Sequence, residues 1–146
     1  KPASSSSPGS SNYIVNVAAL ADSDGRPGRL GPTTGSGPDD TFATFSDWDF
    51  KVTVVAPGVN ILSTSLNGGY TTSSGTSSSS PNVAGIVALL LDPTTQFGRN
   101  ERNLFYQSRP GISTTMAAYL RSIATEQIPG ILGDPLSYPI VNFKVQ

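Results

Sequence analysis

The chain of 146 residues has no histidine and no cysteine, and a single methionine and a single tryptophan. Without cysteine there are no disulfides and no thiolate metal sites, and a chain of this length can bury a substantial core without them. Without histidine, the usual base for a nucleophilic serine has to come from somewhere else. No stretch approaches the ~18 apolar residues of a spanning helix, and Lys1-Pro2-Ala3-Ser4 lacks the apolar centre of a signal peptide. Any targeting segment is therefore expected outside the chain. Charge is sparse as well: nine basic residues, scattered, stand against ten acidic ones for a net charge of −1, which leaves no footprint for DNA, RNA or an anionic membrane. What the chain does have is 15 glycines and 12 prolines among many serines and threonines, the composition of a loop-rich extracellular protein.

Two short runs rich in β-branched residues, Tyr13 to Leu20 and Val52 to Ala56, read as strands buried on both faces, as in a parallel sheet covered by helices. Between them, Asp22 to Asp40 is dense in Gly, Pro, Ser and Asp and reads as a long surface loop. Asn60 to Thr64 is a further strand candidate, and Asn67-Gly68-Gly69 marks a tight turn. From Ser77 or Ser78 to Leu91 a helix is expected, with Pro81 tolerated in its first turn; its residues leave almost no polar face, which predicts a helix buried all round. Asp92 to Gly111 is polar and irregular. Ser113 or Thr114 can cap an amphipathic surface helix with the stripe Met116, Leu120 and Ile123, ending before Pro129, and Tyr138 to Val145 suits a last strand or tail.

The segment Ser74-Gly75-Thr76-Ser77-Ser78-Ser79-Ser80-Pro81-Asn82-Val83-Ala84-Gly85 puts hydroxyls where the first helix begins. A serine there has an unpaired backbone N–H at the positive end of the helix dipole, suited to an oxyanion forming at the carbonyl it attacks. In isolation such a string reads as a flexible linker, but here it joins a strand pattern to an apolar helix, both of which must pack. The Gly-x-Ser-x-Gly nucleophile elbow does not frame Ser77. The segment resembles the nucleophile motif of the subtilisin-like serine proteases, Gly-Thr-Ser-x-x-x-Pro-x-Val-Ala-Gly. The resemblance extends upstream through Phe45-Ser46 and Val54 to Thr64, and through Ser7-Pro8-Gly9 followed by Ile14 to Ala19. It is strong over 7–91 and weak over 113–143, and residues 22–42 carry a surface-loop insertion.

That resemblance implies an α/β fold of three layers, with a mostly parallel sheet and a buried central helix starting at the nucleophile. Residues 1–146 are then expected to be the C-terminal part of a subtilase catalytic domain. The implied activity is endopeptidic acyl transfer at Ser77. Gly75 and Thr76 flank the nucleophile, and Ser7, Pro8 and Gly9 form a wall of the specificity pocket. The catalytic Asp and His and the oxyanion Asn would come from an N-terminal part of the same domain, the expected partner beside peptide or protein substrates. The chain alone is expected to be inactive and, by the same resemblance, secreted.

Four residues depart from the family's pattern. Ser78 and Ser79 replace apolar or small residues after the nucleophile, Asn82 replaces a structural histidine, and Thr53 stands where the family often has an aspartate contributing to a calcium site. The chemistry requires no cofactor, and calcium is the one ion to weigh. Asp22-Ser23-Asp24-Gly25 with Asp39 and Asp40 invites a calcium-loop reading, but Asp-Gly is a common turn and the terminal Glu of an EF-hand is lacking, so a turn is expected and no metal ligand is assigned. Phe45, Trp48 and Phe50 are expected in the core rather than in a carbohydrate-binding patch. A second functional reading, from a different class, is a non-catalytic subtilase-derived binding or structural module.

Overall fold

The computed structural model describes residues 1–11, 13–96, 98–100, 103, 116–124, 126–129 and 137–140. A five-stranded sheet is built from β1 (Val17–Ala21), β2 (Thr41–Phe42), β3 (Val54–Pro57), β6 (Glu126–Pro129) and β7 (Ser137–Ile140), in the order β2-β1-β3-β7-β6. Its centre is parallel, with Val17 beside Val54 and Val55 beside Ile140, whereas β2 and β6 add antiparallel margins. A separate antiparallel hairpin joins β4 (Ile61–Thr64) to β5 (Tyr70–Ser73), closing at Asn67-Gly68-Gly69, where all three residues have positive φ.

The two β-branched runs form the floor of the fold as their patterning requires: Ala18 to Ala21 and Val54 to Ala56 are buried. On one face of the sheet, Val54 and Ala56 meet Val83 and Leu90 of α1 (Thr76–Leu91) and Leu120 of α2 (Met116–Ile123), with Met116 and Ile123 packed beside them. On the other, Ala18, Leu20 and Val55 pack with Ala3, Phe42, Ile128, Tyr138 and Ile140. Trp48 joins this second cluster, but Phe45 and Phe50 are exposed, so the core reading of the aromatics holds for the tryptophan alone.

Three expectations need correction. Helix α1 is not buried all round. Val83 and Leu90 face the sheet at 2% and 1% exposure, while Ala84, Gly85 and Ala88 are exposed and Leu89 is exposed to 54%. Its inner face meets β1 and β3, and no described element covers the outer one. The second amphipathic helix ends at Ile123, and Glu126–Pro129 is a strand paired with β7 rather than the helix's last turn. Within Asp92 to Gly111, residues 96, 98–100 and 103 are helical rather than irregular. The proposed caps Ser113 and Thr114 and the end of the last strand lie outside the described residues.

Candidate active site

Ser77 is the second residue of α1 and is exposed; Thr76 beside it is half-buried. A helix cannot supply carbonyl partners to the N–H groups of its first turn, so those of Thr76 and Ser77 lie at the positive end of the helix dipole, available to an anion. The segment leading into the helix is fixed by backbone bonds. Gly75 N–H donates to the Gly58 carbonyl at 2.8 Å, and Gly58 N–H donates to the Leu20 carbonyl of β1 at 3.0 Å. Gly58 is confined by this close approach: a Cβ there would collide with the Ser79 hydroxyl and lie 2.8 Å from Ala19 Cβ. The Ala-Pro-Gly end of β3 is therefore the ledge on which the Gly75-Thr76-Ser77 segment rests.

The polar departures from the motif find partners. Ser78 Oγ is 2.8 Å from Ser73 Oγ of β5, and the fully buried Ser79 Oγ donates to the Gly75 carbonyl at 3.4 Å. Asn82 Nδ2 donates to the Pro57 carbonyl at 3.0 Å, so an amide ties the helix to the end of β3. Ser74 Oγ accepts the Asn60 N–H at 2.9 Å, linking the hairpin to the same ledge. Among the described residues no buried side-chain polar atom is left unpaired.

A cleft of about 640 Å³ opens beside the helix start, lined by Pro8, by Ile14 to Val17 and by Thr76, Ser77, Ser80 and Pro81. The structure thus brings Pro8 into the same cleft as Thr76 and Ser77. Ser7, Gly9 and Gly75 flank it without lining it. Ser7 and Pro8 are exposed, and Gly9 is half-buried. The Ser7-Pro8-Gly9 segment is held from behind by Asn16, whose Nδ2 donates to the Gly9 carbonyl at 2.8 Å. Sequence reasoning passed over Asn16; a polar residue within an apolar strand run was the available signal.

The loop of residues 22–40 is organised by its acids. Asp39 accepts the N–H groups of Ser23 at 2.7 Å and Gly31 at 2.8 Å and the Ser23 hydroxyl at 2.9 Å, while Asp40 accepts the N–H groups of Gly28 and Arg29. The Ser23 N–H, helped by the other donors, holds the Asp39 carboxyl below the ordinary carboxylate range. Burial pushes Asp22 up, against bonds from Gly25 and Asp24 N–H. Carboxylate oxygens of Asp22, Asp24 and Asp39 lie within 4.8 Å of one another, yet those of Asp22 and Asp39 already accept N–H groups that shape the turn.

The subtilase family model matches residues 1–127. The chain belongs to the subtilase family. This subtilase chain is 34% identical over 119 residues to a subtilisin-like protease of Coccidioides posadasii, covering 77% of the chain and 26% of that protein. Over 85 residues it is 36% identical to subtilisin-like protease 5 of Trichophyton tonsurans, covering 58% of the chain and 17% of the relative. An alkaline serine exoprotease A of Vibrio alginolyticus is 40% identical over 80 residues, covering 55% and 14%. A solved cold-adapted subtilisin-like serine proteinase superposes with a TM-score of 0.60 at 28% identity, covering 98% of this chain and 42% of that one. The subtilase chain therefore has the family's α/β three-layer architecture, and it spans about a quarter or less of the curated relatives it matches.

Proposed function

We propose that this chain is the nucleophile-bearing part of a subtilase endopeptidase catalytic domain, and that an N-terminal complement supplies the Asp, the His and the oxyanion Asn. The observation that carries the reading is the position of Ser77. It stands exposed at the head of α1, and the helical spacing that leads from it through Pro81 and Gly85 to Ala88 defines the one open face of the helix. A body that covers the open face also reaches the serine. The sequence has no histidine to act as base, so the chain by itself has no complete triad and is inactive. In the assembled site Ser77 Oγ attacks a peptide carbonyl while the complement's His takes its proton and later returns it to the leaving amine. Ser77 N–H, together with the complement's Asn, stabilises the oxyanion, and Thr76 supports it from the side. Gly75 sets the approach to Ser77, and the Ser7-Pro8-Gly9 segment bounds the pocket for the side chain preceding the scissile bond. Protein or peptide substrates follow from this chemistry, and a secreted location follows from the family resemblance. Among the described residues no helix is long and apolar enough to cross a membrane.

An organophosphorus active-site probe tests the reading. Ser77 is expected to be the labelled residue, and only when the complement is present. In the assembled enzyme Ser77→Ala should lower kcat by at least three orders of magnitude, whereas the fold should change by no more than about 0.5 kcal/mol, since Ser77 is exposed and the helix start has no side-chain capping bond to lose. Labelling at another serine, or retained peptidase activity in the variant, would remove the nucleophile assignment. A folded assembly that never labels would favour the non-catalytic module.

A further inference from the structure

The start of β3 and the strand beside it are cross-linked by side chains drawn from three parts of the chain. Thr53, 2% exposed, donates its N–H to the Asn16 carbonyl at 2.8 Å, and its Oγ1 accepts the Asn16 N–H at 3.1 Å. Asn16 Nδ2 donates to the Gly9 carbonyl at 2.8 Å and to the Lys51 carbonyl at 3.0 Å. From α2, Arg121 reaches across so that Nη2 donates to the Val52 carbonyl at 2.9 Å and Nε to the Thr53 carbonyl at 3.3 Å. One network thus runs from α2 through the floor of the sheet to the wall of the cleft.

The network does not fit calcium. Ca²⁺ takes six to eight oxygens at about 2.3–2.6 Å, usually with carboxylates among them. Here the Gly9, Lys51, Val52 and Thr53 carbonyls and the Thr53 hydroxyl all accept N–H groups, and none of the linking side chains is a carboxylate. A guanidinium bound to two of those carbonyls puts a fixed positive charge where a divalent cation would have to sit. We infer that this chain braces the strand floor under its specificity pocket with its own cation, Arg121, together with the Asn16 amide, and takes no calcium at Thr53. Arg suits the role because its planar fork donates in two directions at once, whereas a lysine ammonium is a single hydrated point charge. The brace concerns rigidity of the pocket support and goes beyond the proposed peptidase chemistry.

Hydrogen exchange under native conditions tests it, read at the amides of Asn16, Ala18, Thr53 and Val54 of the full chain, with its complement added where the strand floor alone is unprotected. In the unmodified protein, rates at these amides should be equal in EDTA and in millimolar calcium. In Arg121→Gln they should rise about tenfold or more, the size expected for losing a charge-assisted bond, and added calcium should not restore them. Arg121→Lys should fall between the two, since one ammonium cannot hold both carbonyls in the same geometry. Calcium-dependent slowing at these amides in the unmodified protein, or an Arg121→Gln variant with unchanged rates, would overturn the inference. The readout is local and does not involve Ser77, so its failure is distinguishable from failure of the nucleophile assignment, which appears only in labelling.

Discussion

Strands β1 and β3 and helix α1 carry the same signal in the sequence, a nearly unbroken apolar run, yet the structure treats them differently. The strands are covered on both faces by the chain itself, by α1 and α2 on one side and by Ala3, Phe42, Ile128 and Tyr138 on the other. Among the described residues the helix is covered on one face only, with Leu90 at 1% exposure and its neighbour Leu89 at 54%. An apolar run states that burial is needed but not where the covering comes from. For β1 and β3 the cover is local to this chain, whereas among the described residues one half of α1 is left open, and Ser77 heads that half.

The largest expected effect follows directly. If the open face of α1 requires an external body, the chain alone should not show a single cooperative thermal transition, because an apolar patch of this kind favours association or a partly ordered state. Calorimetry with near-ultraviolet circular dichroism checks this, and adding the N-terminal complement should restore one sharp transition. A monomer that melts cooperatively by itself, with an enthalpy appropriate to its length, would break the contrast between floor and helix and would favour the independent binding module.

A smaller effect separates the two faces of α1. Leu90→Ala should cost about 2–5 kcal/mol by removing a buried side chain from the cluster with Val54, Ala56 and Leu120. Leu89→Ala should stay within about 0.5 kcal/mol while its face is open and approach the buried value only when the complement is bound. Native-state hydrogen exchange at the amides of α1, with and without the complement, measures both as local opening free energies. Equal costs for the two leucines in the chain alone would mean that the outer face is already covered.

The same distinction sets what could be read in advance. The buried strands, the Asn67-Gly68-Gly69 turn, the start of α1 and the Met116-Leu120-Ile123 stripe were legible because each rests on local periodicity or on turn chemistry. Strand β2, a pairing of Thr41 and Phe42 with Ala21 and Leu20, was not legible, since a two-residue strand has no period of its own and is defined by its partner. Strand β6 was missed for a related reason: Glu126 to Pro129 continues a helical pattern in sequence, and only the ladder to β7 makes it extended. At the site, the motif around Ser77 could be read from residue order and Asn16 left a signal as a polar residue in an apolar run, but Arg121 could not be found, because it acts on carbonyls 68 and 69 residues away. The half-open burial of α1 depends on what lies beyond its outer face, which apolar content does not encode.

The smallest effect lies in the loop of residues 22–40, ahead of β2. Its conformation rests on carboxylates accepting backbone N–H groups, so it should respond to acid before the floor does. Asp39 has a depressed pKa in the folded chain; its stabilisation is fully present above the unfolded carboxylate value of about 3.9 and is lost as pH falls through the lower folded value. Asp22 works in the opposite sense. Its raised pKa means that acidification first relieves a burial penalty, so between that value and about 3.9 the loop should not weaken. Loosening should therefore begin only below about pH 3.9, seen as faster exchange at the Ser23 and Gly31 amides while those of Ala18 and Val55 stay protected. Asp39→Asn should produce the same local loosening at neutral pH, since an amide cannot accept from three donors as a carboxylate does, and should leave the thermal transition of the assembled domain where it was. Loosening that begins well above pH 4, or a variant that melts the sheet, would show that the loop is part of the floor and not an independent surface element.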